Sequence, residues 1–582
     1  MSFHEAVVAA LTHALGSEAE KLGDLSRMLS SPPKPEMGDL AFGCFALARV
    51  FKKAPVEIAA DLVAKVQSGG LIEKVQAAGP FLNFYADPVG LLDWVARNIH
   101  SGELYAMART DKPERVMVEF SQPNTHKTFH VGHLRNVALG DALVRIQRER
   151  GHTVVPVNYY GDFGIDVAKC LWWLRNHPEN EAPEVNRAAW LGDAYTAANQ
   201  ALKIAKDASE SEVKEKRALL TEVREILAGM EEHEPEVTHR YQQTRQWCLD
   251  DFAEVYRWLG VEFEHDFFES EMEQPANILV DQYLEQGVFK VDDGAVICPL
   301  QPKIKTPAMV RKSDGSSLYM TWDLALASAK FDGYGIERSL YVVGTEQKFH
   351  FQQLFATLEK MGYARAKDCR HVSYELVMLP EGKMSSRNGT AVPLHQLRET
   401  VSQAIETRMD ESGRTAEGEE RAEAIRRISV ACLKYGMLSV GNTKRVIFKL
   451  EDWVNPEGDT GAYLLYSLAR ISGVFRKSGV DVDLGAGLSQ AEGFGEGAER
   501  ALLAHLLKYP SVVIRSEESL DPSIVAGYVY ECARLFSRFY ANCPILRSEG
   551  DLRTARLMLG RATESVMTRG LGLLGIETVS TM

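Results

Sequence analysis

Apolar positions along the chain recur in two rhythms. From Val56 to Val66 they fall at helical spacing, and after the break at Ala78-Gly79-Pro80 the run Phe81–Tyr85 reads as a strand. With an amphipathic helix between Met1 and Gly16, these predict a small α+β domain over residues 1–108, closed by the polar, turn-like stretch Met107–Pro113. Arg115–Ser121 is then a strand ending in Ser-Gln-Pro-Asn, Val131–Arg150 a helix and Thr153–Tyr159 a second strand. Strand, loop, long helix, strand is the grammar of a doubly wound parallel sheet. From about 165 to 260 the pattern is almost purely helical and strongly charged. Short strands, Ser339–Val343 among them, alternate with helices from 261 to 395. From about 415 onward the chain is helical again, apart from the Gly-rich loop 485–497, which reads as a flexible connection. The expected fold class is therefore α/β, with three domains: α+β over 1–108, a parallel-sheet domain over 109–395 with a helical insertion at about 170–262, and an all-helical bundle over 396–582.

Composition changes this picture at one point. The chain has 582 residues, 45% hydrophobic and 25% charged, as soluble globular proteins do. Its formal net charge of −14 argues at first sight against a nucleic-acid partner. The charge is not spread evenly, however. Residues 179–273 hold 23 acidic against 10 basic side chains, whereas residues 421–582 hold 18 against 20. The acidity belongs to the helical insertion, whose exposed helices are expected to lie away from any phosphate backbone. The remainder is near neutral and has room for local basic tracks. No run of about 18 uncharged apolar residues is present, so no membrane span is expected. The first 16 residues contain Glu5 and no Lys or Arg, unlike a secretion signal. The eight cysteines are widely spaced and form no CxxC pair, which fits buried thiols in a cytoplasmic protein better than a zinc or disulfide framework.

Two stretches carry chemistry. His130-Val131-Gly132-His133 stands where a strand's loop enters a helix. Free N–H groups and the dipole at such a terminus bind phosphate, two histidines one turn apart add side-chain donors, and Gly132 lets a nucleotide come close. About 250 residues later, Gly382-Lys383-Met384-Ser385-Ser386-Arg387-Asn388-Gly389-Thr390 combines small residues with cations, as a phosphate-gripping loop does.

In this order the two resemble the HIGH and KMSKS signatures of class I aminoacyl-tRNA synthetases. The pair also occurs in shorter nucleotidylyl transferases such as pantothenate synthetase, which lack a helical C-terminal domain. Finer residues resemble one family, the arginyl-tRNA synthetases. They are Glu119-Phe-Ser-Gln-Pro-Asn124-Thr-His-Lys127-Thr-Phe-His130-Val-Gly-His133-Leu-Arg-Asn136, Tyr160-Gly161-Asp162-Phe163-Gly164, Trp190-Leu191-Gly192-Asp193-Ala194-Tyr195, and Asn455-Pro-Glu-Gly-Asp459-Thr-Gly-Ala-Tyr463-Leu-Leu-Tyr466-Ser-Leu-Ala-Arg470. The stretch from Pro35-Glu36-Met37-Gly38-Asp39 to Gly79-Pro80-Phe81-Leu82-Asn83 is similar to that family's added N-terminal domain.

The resemblance implies a Rossmann-like catalytic domain, an anticodon-binding C-terminal bundle and a cytoplasmic monomer. The implied partners are L-arginine, ATP with Mg²⁺, and tRNA-Arg. No tightly bound metal is implied. It assigns ATP to His130, Gly132, His133, Gly344, Lys383, Met384 and Ser385. Arginine's planar, permanent charge calls for carboxylates and a flat polar partner. Tyr319 and Asp323, at i and i+4 of one helix, together with Glu269, are implied for the guanidinium, and Glu119, Asn124 and Gln347 for the α-amino and carboxylate end. The KMSKS-like loop 383–387 departs from the pattern: Ser386 stands where the second lysine belongs. Either Lys127, just ahead of the first signature, supplies the missing charge, or Lys127 is solvated and Lys383 or Arg387 suffices. Phe81 and Asn83 fall on the positions that meet the tRNA D-loop, and Tyr463, Tyr466 and Arg470, at i, i+3 and i+7, offer a face on which anticodon bases stack.

Overall fold

A computed structural model describes residues 2–579 except 31, 35–36, 206, 381, 384–391, 412–416 and 489, and except the side chains of 382–383. Met384, Ser385 and the side chain of Lys383 therefore lie outside the described residues.

The N-terminal helix spans Phe3–Leu15, and Ser2 and Glu5 cap it reciprocally. Behind it stands a four-stranded antiparallel sheet in the order Leu29–Ser30, Leu40–Gly43, Phe81–Ala86, Ile72–Ala78. Val7, Leu11, Phe42, Leu82 and Phe84 are wholly buried between them.

The centre of the molecule is a five-stranded parallel sheet. Its strands are β1 (Arg115–Glu119), β2 (Thr153–Tyr160), β3 (His265–Phe268), β4 (Arg338–Gly344) and β5 (Cys369–Tyr374), in the order β5-β4-β1-β2-β3. Seven of the eight β2 residues are buried, as a strand covered on both faces requires. Helix α1 (Val131–Glu149) joins β1 to β2. Between β2 and β3 come four helices: α2 (Ile165–Asn176), α3 (Arg187–Leu202), α4 (Glu210–Glu231) and α5 (Pro235–Leu259). They share a separate small core that includes Val167, Leu171, Trp172, Val223, Ile226 and Met230. Then follow α6 (Glu269–Glu285), a three-stranded antiparallel sheet between residues 290 and 311, α7 (Tyr319–Tyr334) and α8 (Lys348–Lys360). The C-terminal part packs α9 (Gly418–Leu438), α10 (Gly461–Ser478), α11 (Ser523–Asn542) and α12 (Gly550–Leu573) against one another with two shorter helices. Among the described residues no helix is long and apolar enough to cross a membrane. All eight cysteines are buried and unbridged.

Helix α1 is shared between the sheet and the C-terminal helices, and the contacts are polar as well as apolar. Arg135, 1% exposed, donates to the carbonyls of Glu375 (2.6 Å), Lys444 (2.9 Å) and Gly441 (3.3 Å). Lys434 of α9 is wholly buried and donates to Asp141 (2.7 Å) and to the Gly575 carbonyl (2.9 Å). Glu149 accepts from Arg569 (2.6 Å) and Tyr509 (2.8 Å). Burial lowers the Lys434 ammonium from its ordinary value while Asp141 opposes that shift. Removing Asp141 would leave a buried charge without a partner, so Asp141→Ala should destabilise by about 3–5 kcal/mol. Lys434→Met should cost less, because Asp141 keeps Arg145 at 2.9 Å. Thermal unfolding of the two variants checks both the drop and its order.

Candidate active site

The site starts at the carboxyl end of β1. Ser121 and Gln122 adopt left-handed backbone angles (φ 76° and 47°), rare for side-chain-bearing residues, and side chains from three elements hold them there. Asn136 of α1 accepts from the Ser121 N–H (2.6 Å), Asn158 of β2 accepts from the Gln122 N–H (3.0 Å), and Tyr256 of α5 pairs with the Ser121 hydroxyl (2.7 Å). The loop then turns into α1, with His130 as its N-cap.

The two histidines are fixed by backbone donors. The Gly132 N–H donates to Nδ1 of His130 (3.1 Å), and the His130 N–H donates to Nδ1 of His133 (3.1 Å). With Nδ1 accepting, each neutral ring carries its proton on Nε2, the edge away from the backbone. The rings stack with centroids 4.0 Å apart. Burial holds His130 down to about 4, and burial reinforced by His130 and Lys127 holds His133 well below its ordinary value. Gly132 is required by space: a Cβ there would lie 2.9 Å from the His130 ring.

Around this turn opens a cleft of about 630 Å³, lined by eleven of the residues read from sequence: Glu119, Asn124, Lys127, His130, Gly132, His133, Glu269, Tyr319, Asp323, Gly344 and Gln347. They come from the ends of β1, β3 and β4 and from α1, α6 and α7, the carboxyl edge of the sheet where α/β proteins bind ligands. Lys383 reaches this region through its backbone, paired with Met378 next to the cleft residue Val377. Gly161 lies against Asn124, where a Cβ would come within 2.5 Å of the amide oxygen.

The carboxylates differ in their partners. Glu119 is 3% exposed, forms an ion pair with the wholly buried Lys330 of α7 and accepts from Gln122 (2.9 Å). The Lys330 ammonium also lies over the Tyr341 ring at 3.9 Å. Asp323 is paired with His350 of α8 at 2.6 Å. Asp162, wholly buried, accepts from Arg245 (2.7 Å), from Tyr241 (3.1 Å) and from the Ser270 N–H (3.0 Å) and hydroxyl (2.8 Å), which locks the start of α6 beside it. Glu269, the first residue of α6, is 8% exposed; burial, then the Asp323 and Asp162 charges, raise its carboxyl well above the usual range. Lys127 sits on Asp166 (2.8 Å) and 5.3 Å over the Tyr195 ring. Lys330, Tyr159, Asp162 and His350 were not singled out from sequence. Asp162 stands inside Tyr160-Gly161-Asp162-Phe163-Gly164 and His350 three residues after Gln347, whereas Lys330 and Tyr159 carry no local signal. Among the described residues no group of three or more His, Cys, Asp or Glu is arranged to hold a metal ion.

The residues read as tRNA contacts lie outside the cleft. Phe81 is an exposed ring edge-on to Phe45 at 5.5 Å, itself exposed. Asn83 is 3% exposed, next to Gly38. At that spot the N-terminal sheet thus presents Phe81 and Phe45 to solvent, and the Asn83 side chain is covered. Tyr463, Tyr466 and Arg470 share one half-exposed face of α10. There the Arg470 guanidinium lies over Tyr466 (4.9 Å) and Tyr540 (5.9 Å), and Tyr463 packs on Tyr530 (5.8 Å).

Comparison with known proteins covers the whole chain. Family models match residues 2–86 ("Arginyl tRNA synthetase N terminal domain"), 95–450 ("tRNA synthetases class I (R), catalytic domain") and 464–582 ("DALR anticodon binding domain"). The chain is 35% identical over 566 residues to an arginine–tRNA ligase of Bdellovibrio bacteriovorus, covering 96% of this chain and 95% of that one. It is 34% identical over 572 residues to one of Treponema denticola, covering 95% and 94%. The fold is shared with arginyl-tRNA synthetase of Thermus thermophilus (TM-score 0.75, 24% identity, 100% of both chains) and that of Plasmodium falciparum (TM-score 0.71, 18% identity, 100% and 98%).

The histidine geometry makes a pH prediction. Both rings stay neutral at neutral pH, so neither should titrate near 6.5, and nitrogen-15 NMR of labelled histidine should show both as the Nε2–H tautomer. Because folding depresses both values, their contribution to stability is complete above about pH 6.5 and is lost as pH falls below that, for His130 down to about 4.

Proposed function

The chain belongs to the arginyl-tRNA synthetase family and ligates arginine to tRNA with ATP, and we propose which of its residues carry each part of that work. The observation that carries the reading is the polarity of the cleft: a helix start with two neutral, donor-bearing histidines at one end, and the carboxylates of Glu269, buried, and Asp323, partly buried, at the other. ATP lies with its phosphates toward the α1 N-terminus, where the helix dipole and Nε2–H of His130 and His133 meet them, and with Gly344 beside the nucleotide. Lys383, Met384 and Ser385 are assigned to ATP as well. Arginine enters with its guanidinium between Glu269, Asp323 and Tyr319, and with its α-amino and carboxylate groups toward Glu119, Asn124 and Gln347.

The arginine carboxylate attacks the α-phosphorus, an O–P bond forms as the bond to pyrophosphate breaks, and arginyl-adenylate results. The terminal adenosine of tRNA-Arg then attacks the carbonyl through its 2′-OH and releases AMP. The protein's part is to orient the reactants and stabilise developing charge. Mg²⁺ accompanies ATP and neutralises its phosphates. Phe81 of the 1–108 domain takes the D-loop, with Asn83 beneath it, and Tyr463, Tyr466 and Arg470 of the 396–582 domain take anticodon bases by stacking. The protein acts as a cytoplasmic monomer.

ATP–pyrophosphate exchange with each amino acid, with and without tRNA-Arg, tests the reading: arginine alone should drive exchange, and exchange driven by lysine or glutamine instead would overturn it. Lys127→Ala asks which cation replaces the one lost at Ser386. We expect kcat to fall by more than about threefold; a smaller change would assign that charge to Lys383 or Arg387. A third expectation follows from Glu269. Its carboxyl is raised in the free protein and a guanidinium beside it lowers it, so arginine binding should release protons. Affinity should therefore rise with pH through the raised value and level off above it, as calorimetry in buffers of different ionisation enthalpy would record.

A further inference from the structure

Tyr159 of β2 lines the cleft and is 8% exposed. Its hydroxyl has no hydrogen-bond partner among the described residues. Other phenols near the site are satisfied: the buried Tyr256 meets Ser121 and Asn158, and the partly buried Tyr241 meets Asp162. Tyr341 and Tyr363 also lack a partner, but neither lines the cleft. A buried hydroxyl left without a partner costs stability, and such groups in native proteins mark strain kept for function or a ligand not yet in place. The Tyr159 phenol is surrounded by Asp323, Glu269, Glu119 and Asp162, which add to burial in raising it well above its ordinary value, so it stays an intact O–H.

We propose that Tyr159 is an unassigned specificity residue whose hydroxyl oxygen accepts one N–H of the substrate guanidinium. The inference rests on the placement of that group between Glu269 and Asp323. A guanidinium offers five N–H donors in a fixed plane. One oxygen of Asp323 is already shared with His350 at 2.6 Å, so the two carboxylates and Tyr319 do not exhaust the donors comfortably. A third carboxylate would overload the pocket with negative charge, whereas a phenol oxygen accepts without adding any. A lysine ammonium, with three donors and no plane, would leave the hydroxyl unpaired, and a site with an unpaired buried polar group rejects the wrong ligand strongly.

The test is Tyr159→Phe in the full chain, which removes one oxygen and keeps the ring. Arginine Kd measured by calorimetry should rise about tenfold or more, because a buried N–H loses its acceptor. The KM for ATP should stay within twofold. The thermal midpoint of the ligand-free protein should be unchanged or higher, since an unsatisfied group has been removed. An arginine Kd within twofold of the parent would overturn the proposal. So would a midpoint several degrees lower, which would show that the hydroxyl serves the fold. Asp323→Asn is measured beside it: if that variant binds arginine normally, the placement of the guanidinium falls and the proposal with it. If it loses arginine while Tyr159→Phe does not, only the role of Tyr159 falls.

Discussion

Helix α1 carries ionic side chains into the middle of the protein, and the rest of the molecule is arranged to meet them. Asp141 requires Lys434, Glu149 requires Arg569 and Tyr509, and Arg135 requires three carbonyls from the segments at 375 and 441–444. Each partner comes from the C-terminal half or the strap leading to it. The first residues of the same helix are His130 and His133. A buried ionic contact tolerates little displacement, because a charge pulled from its partner has no water to turn to. The histidine end of the cleft is thereby tied to the helices at the far side of the molecule.

In and beside the cleft, four carboxylates each meet a basic side chain: Glu119 has Lys330, Asp162 has Arg245, Asp166 has Lys127, and Asp323 meets the His350 ring. Glu269 has no basic side chain paired with it in this way, and its raised carboxyl expresses that deficit. The deficit selects for a ligand that brings its own permanent charge. The acidic insertion contributes here too: Arg245 and Tyr241 of α5 fasten Asp162, and Asp162 fastens the first turn of α6, so helices that looked peripheral by charge hold the Glu269 end of the cleft in position.

The backbone plan was legible because strand and helix periods are local properties. Arg115–Ser121, Val131–Arg150 and Thr153–Tyr159 each end within one or two residues of the observed β1, α1 and β2. His130, Gly132 and His133 were legible because their chemistry depends on one turn of helix. Lys330 was not, because its partner Glu119 is 211 residues away and nothing near it marks a buried lysine. His350 escaped for the same reason, facing Asp323 from another helix. Asn83 shows the opposite failure: its position in a motif was readable, but its burial is set by neighbouring strands that the motif does not describe.

The eight buried thiols have a practical side. Burial raises Cys44, Cys298, Cys369 and Cys543 to about 11, so almost none of each is thiolate at neutral pH. Alkylating reagents attack the thiolate, and here they find the native sulfurs both protonated and covered. A single cysteine placed on the surface would thus be the first to react, and fluorophores or spin labels could be attached at chosen points without first stripping the natural cysteines from the chain.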